Sequence, residues 1–156
     1  MALLCLGIDP GVNGAVAAVF DGKHLMLSDI PTVSRGKTRA HRVIDPAGLA
    51  KILQPFRDAD LAVLESVSAM PKQGVSSVFS LGESLGCIRG VLGAMQIPVE
   101  MVAPARWKKH FGLTSDKELS RSHAINRFPT ADLHRKKDHN RAEALLLALY
   151  GETLNK

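Results

Sequence analysis

The sequence contains little cysteine and no long apolar run, and each absence excludes a class of protein. Cys5 and Cys87 both lie inside apolar patterns, which is typical of small buried side chains in a reducing cytoplasm and argues against a disulfide framework. No apolar run approaches the roughly 18 residues that a membrane-spanning helix needs. The opening MALLCLGID is too short for the apolar region of a signal peptide and has no positive start. We therefore expect a soluble, cytoplasmic protein that crosses no membrane.

Repeats, low-complexity tracts and domain-scale linkers are also missing, so residues 1–156 are expected to form a single domain. A hydrophobic content of 46% over 156 residues is enough for a sizeable core. The net charge is +5 and the pI is about 9.5. Such a basic balance favours a polyanionic partner.

The order of apolar runs and turn signals predicts an α/β fold around a mixed sheet. Asp21-Gly22 is a hairpin signal between two early strands, so the first three strands form an antiparallel meander. Asp45-Pro46 starts a helix, and Ser115 with Glu118 has capping-box spacing for a later one. Residues 34–42 are expected to form a mobile, basic loop. The predicted strands are 3–8, 14–20, 24–28, 61–67 and 98–102, and the predicted helices are 46–56, 75–95, 105–111, 115–127 and 140–150.

The long helix predicted over 75–95 carries glycines at every fourth position, Gly82, Gly86 and Gly90, which places them on one face. Glycine is less favourable than alanine inside a helix by about 1 kcal/mol per position. Three glycines in register therefore predict a surface that another backbone approaches closely. That backbone belongs either to the sheet beneath the helix or to a second subunit.

Acidic residues at the ends of apolar elements carry most of the functional information. Asp9 ends the first strand and Glu65 lies near the end of the fourth, so both carboxylates emerge at one sheet edge if these strands are neighbours. Asp138 precedes the last helix and Glu143 lies one turn inside it. Carboxylates beside apolar strands are costly unless a cation neutralises them, and grouped hard oxygens suit Mg²⁺ or Mn²⁺. Taken singly, Asp9 is also consistent with a turn residue, Asp138 with a helix cap and Glu143 with a surface charge.

Three segments, in this order and spacing, give a resemblance to a known family: GIDPGVNGAVA, VLESVSAMPKQGVSSVFSLGESLGCIRGVL and RAEALLLALYG. They resemble the RuvC-type Holliday junction resolvases of the RNase H-like superfamily, and in particular the short phage-type members. GIDPG-like turns also begin actin-like sugar kinases, but those proteins need a far longer chain. The resemblance implies an RNase H-like fold with a five-stranded mixed sheet (three antiparallel strands, then two parallel). It also implies a homodimer that acts in a bacterial or phage setting and resolves four-way DNA junctions by paired nicking.

The resemblance carries over an acidic site with two Mg²⁺ or Mn²⁺ ions, which are about 3.5–4 Å apart in two-metal hydrolases. Asp9 and Glu65 match the first two family positions, and Glu143 matches the last, where the family usually has Asp. The remaining ligand usually lies three residues earlier, at Asn140, so this chain departs from the pattern. Asp138 is the preferred fourth ligand on its chemistry, and His139 is the alternative.

Basic and loop residues supply the candidate DNA contacts. The family's loop after the second acidic residue enters the junction centre, which here implies Met70, Lys72 and Gln73. Flexible cations neutralise phosphates without reading sequence. The candidates of this kind are Arg35, Lys37 and Arg39 in the first loop, Lys108 beside the only tryptophan, and Lys136 and Lys137 before the last helix. Trp107 itself is expected in the core.

Two other functions are compatible with the sequence. An RNase H-like site also hydrolyses RNA or other branched DNA. If the departure at Asn140 breaks the site, the chain is instead a junction-binding protein that does not cleave.

Overall fold

A computed structural model describes residues 1–37 and 41–154. The strands of its main sheet are β1 (Leu4–Asp9), β2 (Ala15–Phe20), β3 (Lys23–Asp29), β6 (Leu61–Glu65) and β7 (Val99–Val102). They lie in the order β3-β2-β1-β6-β7. β1 pairs antiparallel with β2 and parallel with β6, which places the first strand at the centre. The predicted mixed five-stranded sheet is therefore confirmed.

Helices cover both faces of the sheet. The helices are α1 (Pro46–Leu53), α2 (Val75–Ala94), α3 (Pro104–His110), α4 (Lys117–Arg127) and α5 (His139–Gly151), with short 3₁₀ helices at Gln54–Phe56 and Lys136–Asp138. One apolar cluster contains α5 residues together with Trp107 of α3 and Ala124 of α4, and the other contains Leu49 of α1 and Ile88 of α2. No helix in residues 1–37 or 41–154 is long and apolar enough to span a membrane.

The segment predicted as a basic loop is partly a hairpin. β4 (Thr32–Ser34) and β5 (Arg42–Ile44) form a separate two-stranded sheet, and the backbone N–H of Arg35 donates to the carbonyl oxygen of His41 at 2.6 Å. Strands of only three residues each give no alternation long enough to detect from sequence. The segment predicted at 34–42 includes residues 38–40, which lie outside the described residues.

The start of α4 also differs from the prediction. Ser115 was expected to cap this helix, but the cap is Asp116, whose Oδ1 accepts a hydrogen bond from the Glu118 backbone N–H at 2.9 Å. Thr114 Oγ1 accepts a hydrogen bond from the Asp116 backbone N–H at 3.2 Å. The helix therefore begins one residue later than the predicted capping box, which had Ser115 as the cap.

The glycine-striped face of α2 points away from the sheet. Ser84, Ile88 and Leu92 are the buried residues of α2, whereas Gly82, Gly86 and Gly90 are exposed. A Cβ built at any of these three glycines meets no atom of the described residues within 4 Å. The sheet is therefore not the backbone that the glycines accommodate, and the predicted contact with a second subunit stays a prediction.

Helix α5 lies directly on β1 at Gly7. A Cβ added to Gly7 would overlap the carbonyl oxygen of Ala144 and the backbone nitrogen of Ala148. Because both atoms belong to the helix backbone, no side-chain rotation relieves the overlap. The absence of a side chain at position 7 sets how closely α5, and with it Glu143, approaches the sheet.

We expect Gly7→Ala to destabilise the protein by about 1–3 kcal/mol or more, as overpacking of a dense core does. Gly93→Ala is the matched control, because Gly93 is exposed on α2 and an added Cβ meets no described atom within 4 Å. That change should be neutral or slightly stabilising. Urea unfolding of both variants measures the difference, and equal stabilities would contradict the close contact between α5 and β1.

Candidate metal centre

Three carboxylates meet at the edge of the sheet where β1 and β6 end. Asp9 and Glu65 are the last residues of these neighbouring parallel strands, and Glu143 comes from the second turn of α5. One carboxylate oxygen from each lies within 4.8 Å of the other two. All three residues are buried, with exposed fractions of 8%, 8% and 5%. The structure thus places Asp9, Glu65 and Glu143 next to one another, as the sequence predicted for these three residues.

Like charges held this close and this deep disfavour their own ionisation. Burial raises the pKa of Asp9 well above its ordinary range, and the neighbouring Glu143 and Glu65 raise it further. Burial also raises the pKa of Glu65, against a lowering by its hydrogen bond from Trp107. Buried carboxylates this close to one another are stabilised by added positive charge. A divalent cation with oxygen ligands supplies that charge, so the donor set fits Mg²⁺ or Mn²⁺.

The short helix α3 contributes two neighbours of the carboxylates. The indole Nε1–H of Trp107 donates to Glu65 Oε2 at 2.9 Å in a buried hydrogen bond. Lys108 Nζ lies 3.6 Å from Glu143 Oε1 and 5.3 Å from the centre of the Trp107 ring. Trp107 is fully buried, which confirms that it belongs to the core. Lys108, one of the predicted DNA contacts, partly neutralises the acidic cluster in the structure, and its contact with DNA stays a prediction.

Lys117 is a second cation that sequence reasoning missed. It lines an open cleft together with Asp9 and His139, and its charge lowers the pKa values of Asp9 and Glu65, against the larger effect of burial. Its Nζ lies 3.4 Å from His139 Nε2. In the sequence it is only one of several lysines near a helix start, so no pattern marks it.

Asp138 lies apart from the three-carboxylate cluster in a network with Arg135. The Asp138 carboxylate accepts from the Arg135 backbone N–H at 2.8 Å, from Nε at 3.0 Å and from the terminal nitrogen at 2.8 Å. Although burial raises the pKa of Asp138, these hydrogen bonds and the guanidinium charge outweigh it and hold the pKa below its ordinary value. The described oxygens of Asp138 therefore already have a cationic partner.

The two other candidates for the fourth position also have partners. His139 Nδ1 lies 3.3 Å from the Lys136 carbonyl oxygen, and Asn140 Nδ2 donates to the Asn13 carbonyl oxygen at 2.6 Å. Asp138, His139 and Asn140 all line the cleft to which Asp9 belongs. The choice among them stays a prediction.

Most of the predicted DNA contacts are exposed, and two of them line this cleft. Met70 is 67% exposed, and the backbone N–H of Met70 donates to Gln73 Oε1 at 3.0 Å, which closes the loop after β6. Lys72 has a left-handed backbone with φ of 66°.

Gln73 and Lys137 line the cleft, and Lys37 and Lys136 are exposed. Arg35 forms an ion pair with Glu83 at 3.0 Å, and Arg39 lies outside the described residues.

Known proteins share this fold at low sequence identity. Thermus thermophilus RuvC in complex with a Holliday junction substrate matches with a TM-score of 0.66 and 19% identity, over 94% of this chain and 90% of that one. The fowlpox virus Holliday junction resolvase matches with a TM-score of 0.54 and 14% identity, over 97% and 99% of the two chains. The yeast mitochondrial Holliday junction resolvase matches with a TM-score of 0.51 and 12% identity, over 94% and 78%.

No family model and no curated protein matches the sequence. The structural matches show that the chain has the RNase H-like fold of RuvC and other Holliday junction resolvases. The sequence resemblance thus predicted the correct fold.

We expect Asp9→Asn and Asp138→Asn to change stability in opposite directions when a chelator removes divalent metal. The folded state raises the pKa of Asp9, so it binds this proton more tightly than the unfolded chain, and stability falls as pH rises above about 4. Asp9→Asn removes that loss and should raise Tm at pH 7, with the gain shrinking toward pH 4.

Asp138 has a lowered folded-state pKa, so its contribution is present above pH 4 and disappears as pH falls through the lowered value. Asp138→Asn should therefore lower Tm at pH 7. Thermal unfolding between pH 4 and pH 8 measures both variants. A fall in Tm for Asp9→Asn at neutral pH would contradict the electrostatic account of the cluster.

Proposed function

We propose that this protein is a metal-dependent endonuclease that resolves four-way (Holliday) DNA junctions by paired nicking. The observation that carries the proposal is the buried Asp9–Glu65–Glu143 cluster at the strand ends, on a fold shared with junction resolvases. A basic chain with exposed lysines around the cleft suits the phosphates of DNA. Its setting would be the cytoplasm of a bacterium, including a phage-infected one.

The carboxylates of Asp9, Glu65 and Glu143 would hold Mg²⁺ or Mn²⁺, and two ions fit the resemblance. Bound divalent ions supply stabilisation of the negative charge that develops on the attacking and leaving oxygens of a phosphodiester. Lys108 and Lys117 reduce repulsion between the carboxylates and the incoming phosphate. Lys136 and Lys137 bind the DNA backbone beside the cleft. They lie on the short 3₁₀ helix that the hydrogen bonds between Arg135 and Asp138 hold in place.

Junction resolution also requires a symmetric assembly. Two incisions related by a two-fold axis need two active sites related in the same way, which a C₂ homodimer supplies. The exposed side of α2 suits such a contact, because it carries Val75 and Phe79, with exposed fractions of 88% and 68%, beside the exposed glycines. Helical spacing places four residues along one face of α2: Phe79, Gly82, Gly86 and Gly90. This face therefore has an exposed aromatic side chain next to a row of glycines.

Replacing a carboxylate should separate cleavage from binding. We expect Asp9→Asn or Glu65→Gln to reduce cleavage of a synthetic four-way junction in Mg²⁺ by several orders of magnitude. Junction binding in Ca²⁺ or chelator should stay unchanged or become tighter, because the amide removes repulsion with the phosphates. Gel-shift and cleavage assays with the same labelled junction measure both. Loss of binding together with cleavage would assign these residues to folding instead.

The same assay decides the fourth ligand, for which Asp138 is our proposal and His139 the alternative. Loss of cleavage in Asp138→Asn at every pH supports Asp138, whereas loss in His139→Ala, with native activity falling below about pH 6.5, supports His139. Near-normal cleavage by both variants leaves Asn140. Preference for RNA or flapped DNA over the junction, or binding without any cleavage, would support the other two functions named from the sequence.

Gly86→Leu should weaken the homodimer without unfolding the chain. Within one chain the new side chain enters open space among the described residues, and leucine is a better helix former than glycine. Lys51→Leu, at an exposed position on α1, is the matched control for added apolar surface. Sedimentation at micromolar concentration should show Gly86→Leu shifted toward monomer and Lys51→Leu unchanged. A monomeric native protein would contradict the assembly.

A further inference from the structure

Trp107 is the only tryptophan of the chain, and its side chain is completely buried. A buried indole must place its single N–H donor on an acceptor, since leaving it unpaired is unfavourable. Many acceptors in a protein core are backbone carbonyls, but this donor meets a carboxylate, Glu65 Oε2, at 2.9 Å. A donor to an ionised acceptor makes a stronger and more directional hydrogen bond than a neutral pair.

Both partners of this hydrogen bond are anchored to the same part of the sheet. Glu65 is the last residue of β6, opposite Val102 of β7, and α3 begins at Pro104, just after β7 ends. The Trp107 ring belongs to the apolar cluster that includes Val102 and α5 residues such as Leu146. Packing therefore fixes the ring, and the fixed ring fixes the direction of the N–H.

The hydrogen bond restricts how Glu65 presents its oxygens. The indole N–H fixes the direction of Oε2, and because the two oxygens belong to one rigid carboxylate, it also fixes how the group faces a cation shared with Asp9 and Glu143. Without the N–H, the carboxylate gains rotational freedom and loses a group that stabilises its ionised form. Groups that orient a metal ligand in this way typically change metal affinity by about 10–100-fold when they are removed.

We propose that Trp107 is a positioning residue of the metal centre: its indole N–H orients the Glu65 carboxylate and thereby sets the affinity for Mg²⁺ or Mn²⁺. This inference rests on the proposed metal-dependent function. It goes beyond that function in assigning a specific task to a fully buried aromatic residue whose polar atom donates to a predicted metal ligand.

The decisive experiment removes the N–H and keeps the ring. Growth of a tryptophan auxotroph on benzothienylalanine replaces the indole N–H by sulfur, and because Trp107 is the only tryptophan, the change falls at one position. Mn²⁺ affinity is measured from the free-ion signal in electron paramagnetic resonance, without DNA. We expect the dissociation constant for Mn²⁺ to rise about tenfold or more, and Trp107→Phe to change it in the same direction.

Glu65→Gln provides the matched background. If Trp107 acts through the Glu65 carboxylate, benzothienylalanine should cause little further loss of Mn²⁺ affinity in Glu65→Gln, so the two changes are strongly non-additive. Mn²⁺ should also quench the fluorescence of Trp107 in the native protein and do so less in Glu65→Gln.

Three results would overturn the inference: unchanged Mn²⁺ affinity in the substituted protein, an equal loss in the Glu65→Gln background, or no Mn²⁺ binding by the native protein. The first would leave Trp107 with a packing role alone. The outcome is distinguishable from failure of the proposed function. A protein that binds Mn²⁺ under the control of Trp107 but leaves four-way junctions uncut would refute junction resolution and support the positioning role.

Discussion

Mutual repulsion among Asp9, Glu65 and Glu143 is the constraint on which the rest of the structure depends. Three buried carboxylates within 4.8 Å of one another are unfavourable without a cation, so the fold must hold them there by other means. Two are placed by strand pairing between β1 and β6, and the third by a helix pressed against β1. The favourable packing of these elements offsets a locally unfavourable arrangement, as is common at functional sites.

The supports around the cluster divide into two sets with different tasks. Trp107 and Lys108 of α3 contact the carboxylates directly and adjust their orientation and charge. Arg135 and Arg141 act at the start of α5: Arg135 binds Asp138, and Arg141 bridges Asp29 of β3 and Asp132 at 2.7 and 2.8 Å. The first set tunes the site and the second fixes the helix that brings Glu143 to it.

Sequence reasoning predicted what local patterns encode. The apolar runs located the five main strands within a few residues, and the position of Asp9 and Glu65 at strand ends placed them at one edge because parallel neighbours end together. The β4–β5 hairpin was missed because each of its strands has only three residues, too few for a pattern of alternation to show. The engagement of Asp138 by Arg135 was missed because an arginine three residues before an aspartate is common and leaves no distinctive pattern.

Longer-range features were harder to predict for a physical reason. The proximity of Lys117 to Asp9 depends on how α4 packs against α5, and the partner of the Trp107 N–H depends on the path from β7 into α3. A tryptophan in the core needs an acceptor for its indole N–H. The existence of a hydrogen bond from Trp107 was therefore predictable from the sequence, whereas the identity of its acceptor was not. The outward orientation of the α2 glycines likewise required knowing that Ile88 and Leu92 face the sheet.

The position of Glu143 in chain order has a consequence for biosynthesis. α5 follows every strand of the sheet in the sequence and packs on β1, β2 and β6 at its centre. A growing polypeptide that has emerged only as far as α4 holds Asp9 and Glu65 but neither the third carboxylate nor the helix that covers the first strand. The acidic cluster is therefore completed only when α5 docks, and a nascent chain on the ribosome that ends before α5 lacks the assembled set of three carboxylates.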